Sequence, residues 1–139
     1  YAARASTDAM RYWGHDWDSE KGCEYANMRD KQTGWNKSFK CDDGAKYTRT
    51  VGAYRPNAFG LHDMLGNVSE WTEDCWNTSY SGAPINGTAR TTGNCSARVL
   101  RGGSWYYDPW ILRSAYRFRF VTSNRSYNLG FRIARTLSR

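Results

Sequence analysis

The clearest hydrophobic pattern lies near the C-terminal end, where Leu129, Phe131 and Ile133 alternate with Gly130, Arg132 and Ala134. A period of two predicts a half-buried final strand. Residues 68–76 read as a second strand with Trp71 directed inward, and residues 98–105 as a third that runs through Gly102-Gly103. Paired glycines inside a strand mark a bulge or a close backbone approach. Residues 1–5 read as the end of a helix. Residues 60–65 read as a short helical turn, closed by Gly66-Asn67 where a positive φ is suited. Pro56 and Gly60 bracket a turn. Residues 6–50 are polar and show no hydrophobic period, and residues 77–97 are rich in Ser, Gly, Asn and Thr. Both predict long ordered loops. The class expected is α+β, with short antiparallel strands, few helices and many ordered loops.

Composition agrees with a loop-rich chain. The 139 residues suffice for one domain, and aromatics make up 16% of them, so Trp and Tyr supply much of the core. Such side chains bury large areas while each N–H or O–H needs a partner. The mean hydropathy of −0.82 and the lack of any stretch near ~18 apolar residues exclude a spanning helix.

The net charge of +7 is unevenly placed: from residue 98 onward there are nine arginines, no lysine and a single acid, Asp108. Tyr116-Arg117-Phe118-Arg119-Phe120 interleaves rings and guanidiniums as single-strand nucleic-acid platforms do. The absence of lysine favours the other reading. In it, Arg113, Arg117, Arg119, Arg125 and Arg132 pair internally with acids such as Glu70, Glu73 and Asp74.

Four cysteines permit three pairings. Local pairing, Cys23 with Cys41 and Cys75 with Cys95, is expected because each would pin a polar loop, contributing about 3 kcal/mol in the chain-entropy model. Bridges of this kind imply an extracytoplasmic setting: secreted, periplasmic or surface. No Cys-x-x-Cys spacing suggests zinc. His15 and His62 are too scattered for a metal triad, Ser104 has no base beside it in sequence, and no Gly-rich loop precedes a lysine. Six Asn-x-Ser/Thr triplets, Asn67-Val68-Ser69 among them, decide nothing without a known host.

Three blocks carry more. Residues 57–71 (NAFGLHDMLGNVSEW), 98–105 (RVLRGGSW) and 128–132 (NLGFR) occur in this order. Together they resemble the formylglycine-generating enzyme family, also called sulfatase-modifying factors, a branch of the C-type-lectin-like fold. Residues 1–5 resemble an earlier element of that family, so the likeness spans almost the whole chain. In the family a longer portion precedes this element. The resemblance therefore leads us to expect a fold completed by an N-terminal segment or by a partner chain.

The resemblance also implies sites. Asn27 and Asp43, with the carbonyls of Met28 and Ala45, match the family's first calcium site. Asp63 and Glu70, with the carbonyls of Gly66 and Val68, match the second. Calcium takes six to eight hard oxygens from irregular backbone, which suits such loops. The ordinary alternatives are that Asp63 caps a turn, Glu70 pairs with an arginine and Asp42-Asp43-Gly44 is a turn. The family's catalytic centre is a pair of copper-binding cysteines just after the Gly-Gly-Ser-aromatic block. The matching positions here are Tyr107 and Leu112, neither of which offers the thiolate that copper(I) requires.

Trp105, Tyr106, Tyr107, Asp108, Trp110, Tyr116, Phe118, Phe120, Ser126 and Tyr127 fall within 105–128. Rigid aromatics mixed with Ser, Asn and Asp are how paratopes are composed. The segment also resembles the diversified region of variable proteins made by diversity-generating retroelements, which share this fold. It is either an exposed binding face or mostly core with a partial cleft. The function expected is a non-catalytic module binding a protein, peptide or glycan. The alternative is an oxidoreductase of the same family, generating formylglycine or serving as the lectin-like half of a non-haem-iron sulfoxide synthase. A third option is a subunit of a larger surface assembly.

Overall fold

Strand residues are few, so the sheet they build is small. The computed structural model describes residues 1–15 and 20–135. Strands β1 (Ser69–Trp76), β2 (Asn94–Arg101), β3 (Phe118–Val121) and β4 (Leu129–Phe131) form one sheet in the order β3-β2-β1-β4. β1–β2 and β2–β3 are antiparallel, whereas β4 joins β1 in parallel, Ser69 opposite Leu129. Two 3-10 turns, Glu20–Glu24 and Lys31–Thr33, are the helical elements among the described residues. Asp30 starts the second turn, its Oδ1 accepting from Gln32 N at 2.9 Å, and its Oδ2 accepts from Asp43 N at 2.7 Å. No helix among these residues is long and apolar enough to cross a membrane.

Several expectations shift. The strand expected at 98–105 begins earlier, at Asn94, and ends at Arg101, because Gly102 and Gly103 take φ values of 85° and 70° that break the ladder. β3 falls in the Arg-aromatic run, outside the three strands the sequence pattern predicts. Residues 1–5 form one hydrogen-bonded turn, Ala5 N to Tyr1 O at 3.1 Å, which stops where Ala5 and Ser6 adopt positive φ. Residues 60–65 hold irregular turns instead of helix. Trp71 is half-buried and faces a surface groove, since β1 is irregular between Trp71 and Cys75. On the edge strand, Phe131 and the following Ile133 are 75% and 84% exposed, so the final alternation marks a strand without marking a buried face.

The apolar core lies under the loops. Trp13, Cys23, Ala26, Met28, Phe39, Cys41, Leu65 and Leu112 cluster, with Tyr12, Tyr25 and Tyr107 packed against them. Both disulfides pair locally, Cys23–Cys41 and Cys75–Cys95, so each loop is closed within its own segment. The first sits inside this core; the second fastens the 77–93 loop to the β1–β2 pair. Buried Arg11 links the N-terminal segment to the later chain, donating to Pro109 O at 2.6 Å and lying over the Phe39 ring.

Candidate functional site

The three sequence blocks meet backbone to backbone. Gly66 N donates to Gly102 O at 2.9 Å, Trp105 N to Asn67 O at 3.1 Å, and Ser69 N to Asn128 O at 2.9 Å. Buried Asn128 donates to Ser104 Oγ, at 3.4 Å, and accepts from Ser126. Gly66 is required here: at φ 87° an added Cβ would stand 2.3 Å from Asn27 O. That carbonyl already accepts from Asn67 N at 2.8 Å. The junction sets Trp105 and Tyr106 on one side of the molecule, with Trp105 covered by the rings around it.

On that side the aromatics form a continuous surface. Trp105 packs against Trp35, Tyr47, Tyr106 and Tyr127 with centroids 5.2 to 6.5 Å apart. The chain of rings continues through Tyr107 and Phe118 to Phe120, with Tyr116 beside Phe118. Trp105 itself is buried, Tyr106, Tyr107, Asp108, Tyr116, Phe118 and Phe120 are half-buried, and Trp110, Ser126 and Tyr127 are exposed. Burial pushes the Tyr107 hydroxyl up, so it stays protonated as a hydrogen-bonding group. Trp110 stands apart, stacked on Arg113 at 4.4 Å.

Trp35, Tyr47, Thr48, Trp105 and Tyr127 line a cleft of about 380 Å³. Three of the five come from the loop at 27–50, which sequence reasoning treated as disulfide-pinned connection. A Trp standing in a polar, aperiodic stretch was the available signal. Arg29 orders the rim: it lies 4.7 Å over Trp35, donates to Tyr106 O at 2.9 Å and pairs with Asp108.

The residues matching the first calcium site converge. Asp43, nearly fully buried, accepts from Met28 N at 2.7 Å and from Ala45 N at 2.9 Å, and its pKa is pushed up to about 7 by burial. Asn27 is fully buried; its amide nitrogen donates to Tyr47 O, and its Oδ1 meets no hydrogen-bond donor. The residues matching the second site, Asp63, Gly66, Val68 and Glu70, all line one cavity of about 490 Å³. Asp63 Oδ2 accepts from Gly52 N at 2.7 Å while its buried Oδ1 has no partner. Glu70 is gripped through both oxygens by Arg132, the nearest contact being 2.7 Å. Two shielded, unpartnered oxygens are what a hard cation would satisfy, so the donors fit calcium; Arg132 is its competitor at Glu70. No three His, Cys, Asp or Glu side chains converge among the described residues, so carbonyl and amide oxygens would have to complete either shell.

The arginines behave differently from the carboxylate pairing expected. Of the five, Arg132 meets Glu70, whereas Arg117 and Arg125 donate to backbone carbonyls. Arg113 and Arg119 lie over the rings of Trp110 and Trp76. Rings and carbonyls therefore hold four of these guanidiniums in place, and a carboxylate holds one.

A small mixed sheet with ordered loops carrying most of the core is the C-type-lectin-like form of α+β architecture. The chain belongs to the formylglycine-generating enzyme family, matching the sulfatase-modifying factor enzyme 1-like domain over residues 1–137. It is 34% identical to the formylglycine-generating enzyme of Mus musculus across 88% of this chain and 32% of that protein. It is 31% identical to the inactive C-alpha-formylglycine-generating enzyme 2 of the same species, across the full chain and 41% of the relative. Among solved structures, PvdO from Pseudomonas aeruginosa superposes with a TM-score of 0.77 at 34% identity, over 94% of this chain and 47% of that one. Treponema denticola variable protein 1 superposes at 0.72 and 27% identity, over 94% and 42%. The chain thus spans under half the length of each of these proteins.

Leu112, where the resemblance places one copper cysteine, is fully buried and sits where an added Gly103 Cβ would lie 2.9 Å away. Tyr107, at the other, packs on the core cluster and on Phe118. An alkyl group and a protonated phenol do not make a soft-metal donor set, so the residues present do not fit copper.

Proposed function

We propose that the protein is a non-catalytic binding module that recognises a protein, peptide or glycan through the face formed by Trp105, Tyr106 and Tyr127 with Trp35 and Tyr47. The observation that carries this reading is the cleft in which four rings from two separate segments are held at fixed mutual angles on the surface. Rigid Trp and Tyr provide contact area with little conformational entropy to lose. Three of the four stay accessible, Trp35 at 41%, Tyr47 at 59% and Tyr127 at 68%. Supporting it, a relative inactive by name aligns over the whole chain, and a variable protein shares the fold.

In this reading calcium is structural. At the second site Asp63 and the Gly66 and Val68 carbonyls would hold the ion, with Glu70 once released by Arg132; Asn27 and Asp43 would serve the first. The ion would supply charge compensation to buried oxygens. The two disulfides support an extracytoplasmic setting for the module.

The test is a selection from a random-peptide display library and a glycan array with the folded protein. Ligands should be lost in Trp35→Ala plus Tyr127→Ala, in a variant whose cooperative thermal unfolding shows that it is still folded. Binding that survives both substitutions, or stoichiometric copper or iron in the purified protein, overturns the reading.

A further inference from the structure

On another part of the surface, the 77–93 loop folds over the β1–β2 pair and encloses a cavity of about 420 Å³, within the size range of small-molecule sites. Its walls carry Arg90, Arg101 and Arg117 against one acid, Asp74, with Tyr80 and Thr88 beside them. Asp74 neutralises none of them by a side-chain pair. Its Oδ1 accepts from the backbone N of Arg90 at 2.8 Å, and its Oδ2 from Thr72 Oγ1 at 3.2 Å.

The three guanidiniums are held in place by neutral groups. Arg101 Nη1 donates to the carbonyls of Ala115 and Tyr116 at 3.1 and 2.9 Å, and its Nη2 to Tyr80 Oη at 3.2 Å. Arg117 donates to Asn77 O at 2.7 Å and Thr78 O at 3.1 Å, sandwiched between the Trp76 and Tyr80 rings at 4.5 Å each. Arg90 Nη1 donates to Ser79 O at 3.1 Å, while its Nε–H is shielded from solvent and meets no acceptor. Carbonyls orient a guanidinium without cancelling its charge, and a forked donor fixed in advance loses little entropy on binding. Three positioned cations and an orphan donor, against the single carboxylate of Asp74, leave the cavity with an excess of positive charge.

We propose that this cavity is a binding site for the oxyanion group, carboxylate or phosphate, of a small acidic ligand. Arg90 and Arg101 make the forked contacts and Tyr80 adds a hydroxyl. The site is independent of the aromatic cleft and stands whether or not that cleft binds anything.

The probes are inorganic phosphate and, separately, acetate, titrated at constant ionic strength into the isotope-labelled protein while the arginine Nε–Hε resonances are followed by NMR. The Arg90 resonance should move and saturate with at least one of the two. The one that binds more tightly identifies the oxyanion. Arg90→Gln should weaken binding about tenfold or more, the loss expected for a charge-assisted hydrogen bond. Arg125→Gln, outside the cavity, should leave it unchanged. Tyr80→Phe, which keeps fold and charge, should weaken it by a smaller factor and provides the reading if Arg90→Gln fails to fold. Shifts that stay linear in concentration, that appear equally at Arg125, or that persist in both Arg90→Gln and Tyr80→Phe overturn the proposal.

Discussion

Gly66→Ala should be among the most damaging single-methyl changes available to this protein. At φ 87° the new Cβ meets the left-handed penalty of about 1–2 kcal/mol that any non-glycine residue carries. It would also lie 2.3 Å from the Asn27 carbonyl oxygen, a backbone atom that has no rotamer into which to retreat. Relief requires the two loops to separate, which weakens Asn67 N to Asn27 O and Gly66 N to Gly102 O, 2.8 and 2.9 Å. Each buried bond lost costs about 1–3 kcal/mol. The sum is about 4 kcal/mol or more, which for a domain of this size lowers Tm by about 12 °C or more. Gly87→Ala is the matched control, with φ 82° and nothing within 4 Å of the added carbon, so it reports strain alone. Thermal unfolding followed by circular dichroism, in EDTA to remove any ion contribution, measures both. Equal Tm losses in the two variants would refute the claim that close approach to Asn27 is what demands glycine at 66.

Other outcomes follow from the same geometry. Calcium at a hundredfold excess over its Kd should stabilise the protein by about 2.7 kcal/mol, and EDTA should reverse it. Asp63→Ala should abolish most of that response in scanning calorimetry, and a calcium response untouched by the substitution would remove Asp63 from the site. Asp43 has a folded-state pKa of about 7, above the ordinary carboxylate range, because burial disfavours its charge. The folded protein therefore holds that proton more tightly than the unfolded chain, and stability should fall as pH rises through about 7. Without calcium, Tm should be higher near pH 5 than near pH 8, and Asp43→Asn should flatten the difference; an unchanged slope would assign it elsewhere. Replacing both Cys75 and Cys95 by Ala, which opens a loop spanning 20 residues of sequence, should cost about 2–4 kcal/mol in urea unfolding. A midpoint equal to the parent's would show the loop to be held by its hydrogen bonds alone.

By itself the sequence determined whatever is local in character. The preferred local cysteine pairs, the β1 span and the family likeness in the three blocks depend on residue type and short spacing, and the structure keeps them, whereas the strand expected to run through Gly102-Gly103 stops at Arg101. Periodicity misled where a strand ended up at an edge: Leu129, Phe131 and Ile133 alternate, yet Phe131 and Ile133 face outward because the parallel pairing with β1 leaves one side of β4 open. It was silent for the core, since Trp13, Met28 and Phe39 come from loops that carry no period. Only the tertiary structure decided that Trp35 and Tyr47 join Trp105 and Tyr127 across long separations, and that three arginines converge around a cavity whose one carboxylate, Asp74, pairs with none of their side chains. A side chain's chemistry is fixed by its residue, but its neighbours are chosen by how irregular backbone folds back. In a chain where loops form most of the core, that return path is written in long-range contacts that no local pattern records.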